Sequence, residues 1–499
     1  MAVTVNNILA SVLERTGVAL PSAILILAIL ALLYPDRVIG TAAPRPGIPR
    51  MPGALPLIGN TWVLIKNGTE EQFHRLQDFT KDNKIGVLQT SVLGLGRQFI
   101  VVRPEYIEAV QKTYFDHFVK GRMFRARFED VLGVHGIFVA DGENWKGQRK
   151  RASHIFSAGQ FRNWVQTTVH GELKQVFSLL QEVASRKSSG SNKILLPELF
   201  FRYTLSSFSK MAFSADLKCL SSSPDVLETP VPFATAFDFA QCVINERFVY
   251  PGFQIYELFS SNGRKMRQAI QQLRKTGLEI ISDRIERRQQ EQKHGADAPK
   301  EKRAIEKDGK DMLDLFMDIT TDPEDLLVVV MNFLIAGRDT TAQSLSWLFF
   351  ELFQHPEHVK ELITEIESVY GAQMADKPHL MGYDDMKKLP FTQACFSEAV
   401  RLHPAVPKNG KICCKDVLLK PAGPNPDNLP AFEVKKGEWC GWSDWVMNRR
   451  TDVWGEDAAE YNPYRFISVN ETTGTRTFIS HNQWKFHSFN GGPRLCLGQ

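Results

Sequence analysis

The chain has 499 residues, 43% hydrophobic and 10% aromatic, longer than the roughly 100–200 residues of one ordinary domain, yet no internal repeat or mid-chain linker divides it. A formal net charge of +4 gives no cause to expect a nucleic-acid partner. The 7 cysteines are irregularly spaced and include no C-x-x-C pair, which argues against a disulfide framework and a zinc site and suits a reducing compartment.

The first element is "GVALPSAILILAILALLY", Gly17 to Tyr34, which carries no charge. As a helix rising about 1.5 Å per residue it spans roughly 27 Å, close to the hydrocarbon core of a bilayer. Arg37, Arg45 and Arg50 follow it and only Arg15 precedes it. That bias assigns residues 1–16 to the lumenal side, 17–34 to a single transmembrane anchor and the rest to the cytoplasm. A cleaved signal peptide is the rival reading; the apolar run exceeds the usual h-region of about 7–15 residues. Residues 35–60 are proline-rich and read as a stiff, extended spacer, or as a plain linker, ahead of a globular body over 61–499.

"GVLQTSVLGLGRQFIVVRPEY" alternates and turns at Gly94 and Gly96, which predicts a β-hairpin. Its "GLGRQF" lacks the third glycine and the βαβ setting of a dinucleotide site. Helical patterns dominate from about 160 to 290. The charged run from Asp283 to Asp311 reads as a solvated loop.

The strongest helix begins at Asp322, with Pro323 at its first position and Glu324 and Asp325 in its first turn. It runs to His355 and is apolar nearly all round, as a helix through the centre of a large core is. "AGRDTT" interrupts it. Gly337 removes a side chain, and Asp339, Thr340 and Thr341 bring polar groups into the dry core, as a kink or as a groove beside a reaction site. Further on, Glu398 and Arg401 share a helix face. Arg465 in "PYRF" is placed to complete a Glu–Arg–Arg cluster.

The chain closes on "FHSFNGGPRLCLGQ". Gly492 and Gly498 frame Cys496, so backbone N–H groups can approach the sulfur. A thiolate held that way is an anionic metal ligand.

In this order, Trp145-x-x-x-Arg149, Ala336 to Thr341, Glu398-x-x-Arg401, Pro463-x-Arg465-Phe466 and Phe489-x-x-Gly492-x-Arg494-x-Cys496-x-Gly498 resemble the motif series of a cytochrome P450 of the microsomal type. The resemblance implies a mainly α fold with small β-sheets, one large domain behind a transmembrane helix. It implies haem b (iron protoporphyrin IX) as cofactor, with Cys496 as its axial thiolate, whose donation favours O–O cleavage. Trp145, Arg149 and Arg494 would pair with the haem propionates and Phe489 would pack beside the thiolate. Asp339 and Thr340 would relay protons to dioxygen, while Glu398, Arg401 and Arg465 would be structural.

The stretch from Gly121 to Ser157, the Thr341 helix and "NERFVYPGF" resemble the fatty-acid and alkane ω-hydroxylase branch. The activity implied is insertion of one oxygen atom into a C–H bond of a lipophilic substrate. Phe118, Phe124, Phe128, Phe138, Phe333 and Leu334 are candidate walls of an apolar pocket or ordinary core. Lys120, Arg122, Arg125 or Arg127 is a candidate holder of a fatty carboxylate. The implied partners are an NADPH-dependent flavoprotein reductase, dioxygen and the endoplasmic reticulum membrane. In the family the cysteine loop leads into a long helix and a hairpin. Their lack here implies a C-terminally truncated domain. Hydroxylation of a sterol or xenobiotic, a haem-thiolate isomerase or peroxide user, and an inactive haem binder are the alternatives.

Overall fold

The computed structural model describes residues 21–67, 69–153, 165–185, 193–295, 311–371 and 381–499. The strands are β1 (Val87–Val92), β2 (Gly96–Val101), β3 (Phe118–Val119), β4 (Lys408–Cys413), β5 (Val417–Leu419), β6 (Phe432–Val434), β7 (Trp439–Ser443), β8 (Ile467–Val469) and β9 (Arg476–Phe478). The helices that matter for the site are α1 (residues 21–33), α2 (Gly121–Leu132), α3 (Gly142–Ser153), α4 (Leu196–Phe213), α5 (Pro232–Glu246), α6 (Ser261–Gly295), α7 (Pro323–Gln354) and α8 (Pro390–Leu402). The architecture is therefore mainly helical with small sheets.

The expected hairpin forms. Gly94 and Gly96 adopt φ of 75° and 68°, the left-handed conformation that a tight turn needs, and β1 pairs antiparallel with β2. The main sheet runs β1-β2-β7-β4-β3. Only the β2–β7 pairing is parallel, which brings residues near 98–101 beside 439–442. Val87, Phe99, Val101, Phe118 and Trp442 of this sheet form a core with Tyr106, Phe432 and Trp484.

A second, larger core surrounds α7. Asp322 caps the helix, its Oδ1 accepting the Glu324 N–H at 3.0 Å, and Leu326, Val330 and Leu334 are buried among residues of α4, α5 and α6. At Gly337 the helix lies so close to α4 that a Cβ would overlap the ring of Phe208. The groove anticipated there is occupied by that ring.

The structure departs from expectation in three segments. The proline-rich residues 35–60 do not stand off the body. Arg45 reaches Glu438 with two contacts of 2.9 Å, and Gln89 of β1 bonds the Arg45 N–H and the Arg45 and Ile48 carbonyls. Proline dictates an extended path, and a sheet edge with an interior glutamine offers that path a partner. The charged run after Asp283 is partly helix, because no breaker precedes Gly295 and Arg, Glu and Gln favour helix; residues 296–310 lie outside the described residues. Of the expected anchor, residues 21–33 are helical with Ile24, Leu25 and Leu32 exposed, and 17–20 lie outside the described residues, as do 1–16. Among the described residues no helix is long and apolar enough to cross a membrane.

Candidate functional site

The Cys496 loop is built by backbone geometry. Asn490 and Gly492 take φ of 66° and 61°. The Leu495 N–H donates to the Gly492 carbonyl at 3.0 Å, and the Cys496 N–H to the Phe489 carbonyl at 2.9 Å. Gly491 and Gly492 lie flat on Trp484; a Cβ on Gly491 would overlap its ring and one on Gly492 would sit 3.1 Å from it. The loop therefore presents Cys496 on a fixed turn.

The thiol is free and keeps accessible surface. Burial pushes its pKa up, while the Gly498 N–H and the nearby Arg149 guanidinium pull it back. The expected N–H donor is thus Gly498. Phe489 packs edge-on against Phe486, with ring centroids 6.0 Å apart. Leu497 packs against the core that α7 traverses.

Trp145 is buried in α3 between two guanidinium groups. Arg494 lies 4.5 Å and Arg149 6.0 Å from its ring centroid. Arg494 donates to the Ala140 carbonyl at 2.8 Å and to Asp141 at 3.1 Å, but its Nε is buried without a partner. Burial, followed by Arg149, lowers its pKa to about 10 in spite of Asp141.

Two lysines join this group. Lys120 is buried against Asn409 at 2.7 Å and over the Phe124 ring at 4.1 Å. Lys411 of β4 is almost wholly buried; its Nζ lies 4.4 Å from the Phe115 ring centroid and has no hydrogen-bond partner. Burial and then Arg494 push the Lys411 pKa down to about 7. Arg125 adds a buried, partnerless Nε and a long contact to Asp141 at 3.6 Å. Asp141 is already occupied by the backbone N–H groups of Lys120 and Gly121 at 2.9 Å each. These buried cations outnumber their carboxylate, and buried donors without partners are costly. A dianionic group with several acceptor oxygens fits them, and the accessible thiol beside them fits a soft metal.

On α7, Thr340 is half-buried and its hydroxyl donates to the Ala336 carbonyl at 2.8 Å, the bond back by one turn that the sequence suggests. Asp339 is buried and faces α5. Its oxygens are taken by Arg338 at 2.9 Å and by Gln241, and Arg338 is held by Asp238 at 2.7 Å. Burial raises the Asp339 pKa to about 6, against the pull of Arg338 and the Gln241 hydrogen bond. Among the described hydrogen bonds none joins Asp339 to Thr340, and none joins either to the cysteine loop.

The sequence of the cytochrome P450 family matches residues 49–499 of this chain. The chain belongs to the cytochrome P450 family. Cytochrome P450s are haem-binding oxidoreductases. Similar proteins include cytochrome P450 monooxygenase cyp1 of Mycosarcoma maydis, 38% identical over 455 residues, which cover 90% of this chain and 66% of that one. Cytochrome P450 86B1 of Arabidopsis thaliana is 31% identical over 417 residues, 80% of this chain and 68% of its own. Cytochrome P450 94A1 of Vicia sativa is 28% identical over 454 residues, 90% and 81%. The chain thus spans just under two thirds of the length of the fungal relative.

Other residues singled out in the sequence fall into two groups. Glu398, Arg401 and Arg465 do meet. Arg401 clasps Glu398 at 2.6 and 2.7 Å with both side chains fully buried, and Arg465 reaches Glu398 at 3.3 Å. The aromatic candidates separate. Phe124, Phe128 and Phe138 cluster with Phe248, and Phe333 and Leu334 belong to the α7 core, but Phe118 sits in the sheet core. Arg127 is a structural tie, donating to the Arg247 carbonyl at 2.9 Å. Lys411, Gln241 and Asp238 were not apparent in the sequence; their placement depends on strand register and helix packing.

Proposed function

We propose that this chain is a haem-thiolate monooxygenase that inserts one atom of dioxygen into a C–H bond of a lipophilic substrate, with terminal hydroxylation of a long-chain fatty acid or alkane as its reaction. The observation that carries the reading is the accessible Cys496 thiol near Arg149, together with buried cations, Arg494, Lys411 and Arg125, that outnumber their one carboxylate, Asp141. Bound haem supplies dioxygen activation. Cys496 would hold its iron, and Arg494, Arg149, Lys411 and the Trp145 N–H would hold its propionates. Phe489 would shield the sulfur.

Asp339, with its pKa raised to about 6, is matched to accept and release a proton near neutrality. A rotation about its side chain away from Gln241 would turn it from α5 towards the Thr340 side. Thr340, whose proton is committed to Ala336, would offer its oxygen lone pairs to order a water.

The Phe124, Phe128, Phe138 and Phe248 cluster suits an alkyl chain, which gains about 0.8 kcal/mol per buried methylene. Of the basic residues near it, Lys120, Arg125 and Arg127 have other work, which leaves the exposed Arg122 as the holder of a carboxylate. The exposed apolar residues of α1 support attachment to a membrane, and the arginines that follow it, Arg37, Arg45 and Arg50, favour a body in the cytoplasm; the endoplasmic reticulum and an NADPH-dependent flavoprotein reductase are added by resemblance to the microsomal type.

The test is to load the chain with haem, supply such a reductase, and offer a long-chain fatty acid, a sterol and a small aromatic. A low-to-high spin shift and terminal hydroxylation are expected with the fatty acid. Preferred turnover of the sterol or aromatic, with no shift on adding fatty acid, would remove the ω-hydroxylase assignment.

A further inference from the structure

Behind the cysteine loop lies a polar chain that none of the roles above uses. His487, nine residues before Cys496, is buried, as are Asp444 and Gln111. His487 Nδ1 is 2.6 Å from Asp444 Oδ1 and Nε2 is 2.8 Å from the Gln111 amide nitrogen. With the amide donating to Nε2, the imidazole proton sits on Nδ1 and faces the carboxylate. Burial pushes the Asp444 pKa up, and the contact with His487 pulls it back.

The chain joins three separate elements. Asp444 follows directly on β7, Gln111 belongs to the turn Ala109–Thr113, and His487 opens the loop itself. Each contact leads to the loop. The His487 carbonyl accepts the Asn490 N–H at 2.8 Å, and the Gln111 carbonyl lies 3.1 Å from where a Cβ of Gly492 would be. Trp484, on which Gly491 and Gly492 rest, lies nearly parallel to the imidazole at 6.0 Å between centroids. On the other side, Ser488 donates to the Val400 carbonyl of α8 at 3.0 Å. Removing the imidazole would leave a buried carboxylate and a buried amide without partners, and both would pull on the loop.

We propose that His487 is a positioning residue for the thiolate: Asp444 and Gln111 hold its imidazole, and the imidazole fixes the turn that delivers Cys496. The inference rests on Cys496 being the haem ligand. It gives His487 an action on the ligand loop through hydrogen bonds, beyond filling space.

The experiment compares the haem-loaded wild type with His487→Leu, His487→Asn and the double variant Asp444→Leu/His487→Leu. Two readings are taken: the fraction of the reduced carbonyl complex with the red-shifted thiolate Soret band, and the thermal midpoint of the haem-free chain. His487→Asn keeps a donor towards Asp444 and should retain most of the band. His487→Leu should lose at least half of it. The double variant removes the orphaned carboxylate and should recover the thermal midpoint but not the band. If His487→Leu keeps the wild-type band, or if the double variant restores band and midpoint together, His487 only balances a buried charge and the proposal is wrong. A wild-type chain without the band would overturn the thiolate reading itself, and this inference with it.

Discussion

Glu398 and Arg401 form a two-pronged ion pair across one turn of α8, at 2.6 and 2.7 Å, with neither side chain exposed. Arg401 also donates to the carbonyls of Ala458 at 2.7 Å, of Glu460 at 3.0 Å and of Asn448. Glu398 in turn accepts the Asn462 N–H at 2.9 Å. One helical pair thus fixes the stretch from Asn448 to Asn462 onto α8. Cutting a buried pair strands its partner, at a cost of about 3–5 kcal/mol. Glu398→Ala is expected to lose that much in urea unfolding and to fail to retain haem; an unfolding midpoint near that of the wild type would show that the cluster is dispensable.

Gly337 tests the packing of the central helix. A Cβ added to it would overlap the Phe208 ring, and overpacking a core costs typically about 1–3 kcal/mol. Gly337→Ala is expected to lower stability by that amount, and Phe208→Leu added to it to recover part of the loss. Equal stability of Gly337→Ala and the wild type would mean that α4 and α7 are not in this contact.

Asp339 gives a pH signature. Its carboxyl titrates at about 6 in the fold against an ordinary 3.8. The folded state therefore holds the proton more tightly than the unfolded chain, and stability falls as pH rises between those values. At about 1.4 kcal/mol per pH unit the full loss is about 3 kcal/mol. Relative to Asp339→Asn, the wild type should lose stability from pH 4 to 6 and then level off. In the loaded enzyme, Asp339→Asn and Thr340→Ala should both consume reductant while forming more peroxide and less product. A flat stability difference across that pH range would contradict the buried acid.

Lys411 has the opposite trend. Its amine is held at about 7 against an ordinary 10.5, so the folded state binds the proton less tightly. Stability from this residue is lost as pH falls from about 10 to 7. Lys411→Met should make the haem-free chain more stable at neutral pH, with the gain shrinking as pH rises, and should weaken haem retention. A variant that destabilises the haem-free chain at pH 7 would mean that Lys411 has a counter-ion there.

Why some of this was legible and some not follows from range. Glu398 with Arg401, the Asp322 cap and the glycine-framed cysteine turn are local patterns, and the sequence carries them in full. The docking of residues 35–60 depends on Arg45 and Glu438, 393 positions apart; proline content speaks of extension, not of what the segment touches. Asp339 is buried by Gln241, 98 positions away on α5. Lys411 is buried because β4 and β7 pair it opposite Cys440, and its alternation in "KNGKIC" looks like that of any half-exposed strand. The basic residues 120–127 read as one cluster, but helical geometry sends Lys120 and Arg127 into the body and leaves Arg122 outside.

The role of Cys496 as ligand thiolate is read from the absorption spectrum of the reduced, carbon-monoxide-bound, haem-loaded chain beside that of Cys496→Ala. The wild type should show the red-shifted Soret band of a thiolate–carbonyl complex, and the variant should lose it. Retention of that band in Cys496→Ala would contradict the account.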